Sequence, residues 1–265
     1  MIALINQVNK KELGIETDNI VKYLNEQSRD MQILLFDRLD STNDEAKRLY
    51  RGGNGKDKLI IAKEQYGGKG RLGRSFYSPA DSGIYMTLAF TTERKLSDAV
   101  MITVAASVAV WRAIEKNTGI DVGIKWVNDL YYEKKKVCGI LAEAIGGTDR
   151  NHIVLGIGIN LNNESFPAEI ENIAGTLKVS CDVNRLVADI VNELCGFLKN
   201  PYDRSYMKDY RSHSIVLGKE VICYRGQSTY IGTACEITDD GVLIVQGKDG
   251  SRQCMDSGEI SLRLS

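Results

Sequence analysis

Short apolar runs separated by turn-rich connectors dominate the first two thirds of the chain, and their length and spacing predict strands. Gln32-Ile33-Leu34-Leu35-Phe36, Leu59-Ile60-Ile61-Ala62, Ile84-Tyr85-Met86-Thr87-Leu88-Ala89-Phe90 and His152-Ile153-Val154-Leu155-Gly156-Ile157-Gly158-Ile159-Asn160 each read as one strand. Val122-Gly123-Ile124-Lys125-Trp126 and residues 137–143 form a hairpin through the polar turn at 131–136. One arm carries Lys125 and Asp129, the other Lys136. A lysine at a strand end before Trp126 is unusual, because charges within a sheet normally pair or bind a ligand. Lys134 and Lys135 read as solvated charges at the hairpin tip.

Helical spacing appears in five places: residues 18–24, a helix through Ala46, Leu49 and Tyr50, residues 97–118, and about 183–198 and 203–211. The third is long and amphipathic, with Val100, Val104, Ala105, Val108, Trp111 and Ile114 on one stripe, so Trp111 belongs to the core. From Leu217 onward short alternating strands are split by Arg225-Gly226-Gln227, Asp239-Asp240-Gly241 and Asp249-Gly250. That rhythm predicts a small β-barrel. The chain therefore divides into an N-terminal extension (1–30), a main α+β domain (31–214) and a small β domain (215–265). The extension is too short for a winged helix-turn-helix, so no DNA-reading domain is expected.

Composition narrows the classes. With 265 residues there is enough chain for an ample core, and a net charge of −1 offers no global basic field to nucleic acid or an anionic membrane. No apolar run approaches the roughly 18–20 residues of a membrane span. Lys10, Lys11 and Glu12 follow the apolar start too closely for a signal peptide, which leads to a cytoplasmic expectation. Six scattered cysteines, with only His152 and His213 beside them, suggest buried reduced thiols rather than a zinc site.

The candidate chemistry begins at Gly67-Gly68-Lys69-Gly70-Arg71-Leu72-Gly73-Arg74, directly after a strand. Four glycines allow close backbone approach to a ligand, and three cations among them suit an anion. A solvated basic turn is the competing reading. Gly68, Gly70 and Gly73 match Gly-x-Gly-x-x-Gly, but Ser75-Phe76-Tyr77-Ser78-Pro79 follows as extended chain instead of a helix, which excludes a dinucleotide fold of that type. Thr42 and Glu45 have capping-box spacing. Either the hydroxyls of Ser41 and Thr42 only cap, or one caps while the other, with Asn43, faces a ligand at the positive helix end. Gly156 and Gly158 in a buried strand allow a ligand or a neighbouring chain to come close.

Asp40-Ser41-Thr42-Asn43, Gln65 with the 67–74 loop, Lys125-Trp126-Val127-Asn128-Asp129, Lys136-Val137-Cys138-Gly139-Ile140-Leu141 and Gly156-Ile157-Gly158-Ile159-Asn160 resemble biotin protein ligases in order and spacing. The tail Ser257-Gly258-Glu259-Ile260-Ser261-Leu262-Arg263 is similar to the end of that family's C-terminal barrel. The resemblance runs from about residue 33 to the C-terminus. In two places the chain departs from the family, with Lys69 where an arginine is usual and Val127 where a proline is usual.

The resemblance implies a mixed β-sheet catalytic domain with helices packed on one side, followed by an SH3-like barrel. It implies adenylation of biotin by ATP with Mg2+, then transfer to a lysine of the biotin carboxyl carrier protein of acetyl-CoA carboxylase or a related carboxylase. Under it, Lys136 and Arg71 bridge carboxylate and α-phosphate, and Lys125 and Asp129 help place the adenylate or the incoming lysine. Ser41, Thr42, Asn43, Gln65, Lys69, Gly70, Arg71 and Lys136 would hold biotin. Gly68, Arg71, Arg74, Lys136 and Asn160 would hold the nucleotide, and no metal ligands are assigned. A homodimer is open. Two other readings stand beside this one: a lipoate or octanoate ligase of the same fold, and a non-catalytic biotin-binding regulator.

Overall fold

The structure is a computed structural model that describes residues 13–51, 56–92, 99–145, 151–200, 202–225, 228–256 and 259–262. The six apolar runs and the segment Asp129–Tyr132, which overlaps the expected turn, become seven strands of one sheet: β1 (Gln32–Leu39), β2 (Lys58–Gln65), β3 (Gly83–Thr92), β4 (Gly123–Lys125), β5 (Asp129–Tyr132), β6 (Lys135–Ile145) and β7 (Asn151–Asn160). Their spatial order is β1-β2-β3-β7-β6-β5-β4. Only β1 and β2 pair in parallel, so the sheet is mixed. A parallel neighbour requires a crossover, and α2 (Thr42–Arg51) supplies it. The expected single hairpin around Lys125 and Lys136 is two successive turns, because β5 pairs with β4 on one side and β6 on the other.

Alternation along the strands sorts side chains onto two faces. Leu59, Ile61, Met86, Leu88, Leu155 and Ile157 join the main core with α3 (Ala99–Thr118) and α4 (Val183–Lys199). The alternate residues Ile60, Ala89 and Val154 meet Ala46 and Tyr50 of α2. The expected helical layer on one side is thus α3 and α4, while α2 lies alone on the other face. Its position follows from the crossover, and it ends with its N-terminus over the middle of the sheet.

The apolar surface of α3 is wider than its predicted stripe. Ala105, Ala106, Ala109 and Ala113 are buried together with Val104, Val108 and Ile114, as suits a helix covered by a sheet and by α4. Trp111 is core as expected, and its Nε1 donates to Asp121 at 2.9 Å. Ile114 is fully buried. Ile114→Ala is expected to lower unfolding stability by about 2–5 kcal/mol in a denaturant titration. A loss below about 1 kcal/mol would mean that α3 is not the central packing element.

The N-terminal helix α1 (Thr17–Tyr23) is held to α4 by polar contacts. Asn184 accepts from Glu16 N at 2.8 Å and donates to Gly14 O at 3.0 Å. In the C-terminal region β8 (Glu220–Arg225), β9 (Ser228–Ile237), β10 (Leu243–Gln246), β11 (Arg252–Met255) and β12 (Glu259–Leu262) form an antiparallel sheet ordered β11-β10-β9-β8-β12. Val221, Cys223, Ala234, Leu243, Val245 and Ile260 make its buried side. Part of the tail motif, residues 257–258 and 263, lies outside the described residues. The expectation of buried thiols needs correction: Cys138 and Cys223 are buried, but Cys235 and Cys254 are exposed. Cys235 falls where the β9–β10 register shifts, and Cys254 takes an outward position on β11.

The two sheets meet at α5 (Met207–Ser212) and the turn at residues 126–128. Trp126 Nε1 donates to Gly241 O at 2.9 Å, and Tyr210 donates to Val127 O at 3.1 Å. Arg211 bonds Ile237 O at 2.6 Å and pairs with Asp239. Gly241 has φ +75°, and its α-carbon faces Val100, Met101 and Val104 so closely that a Cβ would crowd all three. The Trp126–Val127 peptide, where the family proline is absent, is cis.

Candidate active site

The sheet face under α2 is unusually flat. Gly156 of β7 lies between Thr87 of β3 and Leu141 of β6, and Gly158 lies between Tyr85 and Gly139. A Cβ on Gly156 would sit 2.3 Å from Asn43 Oδ1, and one on Gly158 would sit 2.5 Å from the Phe76 ring. The two glycines therefore admit side chains of this chain to the surface of its own sheet. That is a closer use of the space than sequence alone indicated.

The N-terminus of α2 closes one end of this floor. Ser41 is the capping residue: its carbonyl accepts Glu45 N at 3.0 Å, and its Oγ weakly accepts Asp44 N at 3.5 Å. Glu45 turns to Arg48 at 2.8 Å, so the capping box expected at Thr42 and Glu45 does not form. Thr42 is released to face the sheet. Its N–H donates to Gln65 Oε1 at 2.8 Å, while Gln65 Nε2 donates to Ser78 Oγ at 3.0 Å. Asn43 donates to Glu143 at 2.8 Å, and Lys47 pairs with the other oxygen of Glu143 at 2.6 Å.

Just before the cap, Asp40 takes both guanidinium nitrogens of Arg48, at 2.7 and 2.9 Å. The hydrogen bonds from Arg48 hold its pKa down from 3.8 to about 2. A lowered carboxylate pKa stabilises the fold above the unfolded value and is lost as pH falls through the folded value. Arg48→Ala is therefore expected to melt lower than the parent at pH 5, with the gap closing as pH falls from 3.8 toward about 2. A gap that stays constant across that window would show that the pair does not couple to stability.

The glycine loop folds back on itself instead of running free. Gly70 N donates to Arg74 O at 2.7 Å, Phe76 N donates to Gly68 O at 2.9 Å, and a single 3-10 turn spans Arg71–Gly73. At Gly68 a Cβ would meet Phe76 O at 2.4 Å, so only glycine fits. Two side-chain anchors also tie the loop to the rest of the chain. Lys69 Nζ pairs with Asp44 at 2.6 Å, and that bond raises the lysine pKa. Arg71 Nη1 donates to Asn128 Oδ1 at 3.0 Å, and Asn128 is itself fixed by exchanging hydrogen bonds with Ile140 O (2.9 Å) and Ile140 N (3.0 Å).

Lys136 reaches the same space through an irregularity. The β5–β6 register shifts between Leu130 and Tyr131, so that Leu130 faces Cys138 while Tyr131 faces Lys136. Such a bulge re-aims a side chain. Lys136 then lies over Gly139, whose α-carbon it approaches so closely that a Cβ there would be 3.0 Å from Nζ. Asp129 pairs with Lys136 at 2.7 Å. Beneath this turn the buried Tyr210 hydroxyl is raised above its ordinary pKa by desolvation and secondarily by the charge of Asp129, so it stays a donor to Val127 O.

One cavity gathers Ser41, Thr42, Asn43, Gln65, Lys69, Gly70, Arg71 and Lys136. Among the other nominated residues, Asp129 reaches it only through Lys136, and Gly68 sits beside it beneath the loop. Arg74 is exposed beyond the loop turn, and Lys125 lies over the Tyr131 ring at 5.3 Å. Asn160 is buried at the end of β7, donating to Gly175 O at 2.9 Å, and its Oδ1 has no hydrogen-bond partner among the described residues. Sequence reasoning gave no role to Phe76, Thr87, Asn128 or Glu143. Thr87 left a signal, a short polar side chain within the buried run at 84–90. Glu143 left none, since a strand-end carboxylate is ordinary.

Residues 35–160 match the biotin/lipoate A/B protein ligase family, and residues 216–263 match the biotin protein ligase C terminal domain. The bifunctional ligase/repressor BirA of Bacillus spizizenii is 30% identical over 232 residues, spanning 83% of this chain and 71% of that protein. The biotin--[acetyl-CoA-carboxylase] ligase of Paracoccus denitrificans is 29% identical over 237 residues, spanning 84% of this chain and 97% of that protein. The biotin protein ligase from Aquifex aeolicus, solved in complex with biotin and ATP, superimposes with a TM-score of 0.71 at 27% identity. That match covers 88% of this chain and 99% of the other.

Proposed function

Because the chain belongs to the biotin protein ligase family, we propose that it activates biotin as biotinyl-5′-AMP and passes the acyl group to a lysine of a biotin carboxyl carrier protein, that of acetyl-CoA carboxylase or a related carboxylase. The observation that carries this reading is the meeting of two fixed cations, Arg71 and Lys136, with the polar cluster Thr42, Asn43 and Gln65 around one cavity. A carboxylate and a polyphosphate repel each other, and fixed cations at the reacting atoms lower the barrier. Arg71, aimed by Asn128, and Lys136, aimed by Asp129, are assigned to the carboxylate and α-phosphate. The biotin carboxylate oxygen bonds to phosphorus as pyrophosphate leaves. The carrier amine then attacks the acyl carbon, loses its proton, and AMP departs.

The head of the acid falls to Ser41, Thr42, Asn43 and Gln65, with backbone at Lys69 and Gly70. The nucleotide falls to Gly68, Arg71, Arg74, Lys136 and Asn160, whose unpartnered buried Oδ1 supports a contact with an amino or hydroxyl group. Lys125 and Asp129 are kept as aids to placing the adenylate or the incoming lysine. No group of three or more His, Cys, Asp or Glu side chains gathers among the described residues. That donor set fits Mg2+ arriving on the phosphates of ATP, where it supplies charge neutralisation, and not an all-protein cage. A cytoplasmic setting is proposed as well, as is pairing of two copies across the sheet edge at β1, which sedimentation tests.

Pyrophosphate release from the purified protein with Mg·ATP, compared for biotin, lipoate and no acid, tests the reading. Release with biotin alone supports it. Release with lipoate instead transfers the mechanism to another acid, and binding of biotin without release makes the protein a non-catalytic regulator. The polar floor around Thr42 and Gln65 favours a ureido head over an apolar dithiolane.

A further inference from the structure

The two cations assigned to the reacting anions sit on different elements, Arg71 on the glycine loop and Lys136 on β6, yet they take their aim from consecutive residues. Asn128 Oδ1 accepts from Arg71 Nη1 at 3.0 Å, and Asp129 pairs with Lys136 at 2.7 Å. Asn128 ends the turn at residues 126–128 and Asp129 follows it, so a shift of that turn misplaces both cations at once. The strand that leads into the turn holds it weakly, because β4 is three residues long and lies at the sheet edge. Val127 has no ring to fix its φ, as a proline would.

The segment around α5 supplies the hold. Past the helix, His213 O accepts from Ile124 N at 2.7 Å and Ile215 N donates to Ile124 O at 2.9 Å, which gives β4 a neighbour on its outer side. Within the helix, Tyr210 donates to Val127 O at 3.1 Å. Tyr210 and Val127 are both buried, so bulk water does not replace that donor and the carbonyl depends on it. Desolvation raises the phenol pKa, the charge of Asp129 raises it further and that of Arg71 lowers it, which places the ring beside both charges. One helical turn earlier, Tyr206 is equally buried in the same core, but its hydroxyl has no hydrogen-bond partner among the described residues. Of these two tyrosines, Tyr210 is the one that bonds the turn.

We propose that Tyr210 is a positioning residue for the adenylation step: by holding Val127 O it fixes Asn128 and Asp129, and through them Arg71 and Lys136, where the two anions require them. The inference rests on the ligase reading above, and it gives a catalytic consequence to a hydroxyl that touches no substrate. In Tyr210→Phe the ring still fills its place in the core, but Val127 O loses its donor and the peptide between Val127 and Asn128 is free to turn. Thr42 and Gln65 are carried by α2 and β2 and keep their bond to each other. The loss therefore falls on the chemical step more than on biotin binding.

The test measures biotin-dependent pyrophosphate release and amide hydrogen exchange across residues 126–130 in the parent, Tyr210→Phe and Tyr206→Phe. Tyr210→Phe is expected to lose about tenfold or more in kcat, with KM for biotin within about threefold of the parent, and to exchange about tenfold faster across the turn. Tyr206→Phe, which deletes an unbonded hydroxyl from the same core, should stay within about twofold of the parent in both readings. In a Lys136→Ala background the Tyr210→Phe penalty should shrink to about threefold or less, because one of the two groups through which it acts is gone. A hydroxyl with a structural role alone would lower the melting temperature and leave these readings unmoved. The proposal is overturned by a Tyr210→Phe kcat within about twofold of the parent, by an equal kcat loss in Tyr206→Phe, or by a full penalty kept in Lys136→Ala. If Tyr210→Phe folds poorly, the set is remade in a Gly196→Ala background, which adds helix propensity in α4 without touching the turn. If the parent releases no pyrophosphate with any acid, the ligase reading fails instead, and exchange alone decides. Faster exchange in Tyr210→Phe than in Tyr206→Phe then supports the hold on the turn, and equal exchange in the three proteins overturns it.

Discussion

Lys136→Ala is expected to lower the kcat of biotin-dependent pyrophosphate release by about 10²–10³-fold while the protein still melts near the parent temperature. Two effects add in the same direction. The substitution removes a fixed cation from the position assigned to the carboxylate and α-phosphate, and loss of one such preorganised group commonly costs that much. It also strips Asp129 of the ammonium that it holds at 2.7 Å, so a carboxylate without its counter-ion remains beside two reacting anions. Lys136→Arg keeps the charge but replaces a point ammonium with a planar fork, and should recover part of the rate only. Single-turnover measurement separates chemistry from biotin binding, which calorimetry reads directly. A rate within about fivefold of the parent would remove Lys136 from the chemistry and leave Arg71 as the principal cation.

The second large effect is expected from one added methyl group. In Gly156→Ala the new carbon would lie 2.3 Å from Asn43 Oδ1, far inside contact distance, so Asn43 must leave the sheet surface. Its bonds to Thr87 and Glu143 break together. The overpacking costs about 1–3 kcal/mol of stability, and KM for biotin should rise by about tenfold or more because the cavity loses Asn43 from its polar lining. Gly196→Ala is the matched control. Gly196 lies in α4, where the nearest atom to an added Cβ, Gln27 Oε1, is at 3.7 Å. There the methyl group should stabilise by about 0.5–1 kcal/mol through helix propensity and leave KM alone. Equal behaviour of the two variants would refute the view that Gly156 is small for the sake of Asn43.

These expectations draw on features of unequal legibility. The strands at β1, β2, β3 and β7, the long α3 and the switch to short alternating strands after residue 217 could all be read from periodicity. The nomination of Thr42, Gln65, Arg71 and Lys136 could be read from the resemblance of five motifs, in one order, to a known family. The residues that aim them could not. Asn128 and Glu143 carry no local mark of their role, because each acts on a partner 57 or more positions away in the chain: Arg71 and Asn43. The choice between Ser41 and Thr42 as cap was likewise open until β2 brought Gln65 under the helix end and drew Thr42 toward the sheet.

What the amino-acid order determined by itself is local: which residues alternate onto a common face, where most helices begin (α5, expected from about 203, starts at Met207), and where glycine leaves room. Side-chain period and backbone sterics act over a few residues and need no distant partner. The tertiary structure decided which faces meet and which polar groups pair. It placed α2 on the face away from α3 and α4, turned Lys136 over Gly139 by a shift of register, and set Glu143 beside Asn43. Hydrogen-bond direction and ion pairing depend on groups that only the closed fold brings within about 3 Å. No window of sequence contains both ends of such a contact.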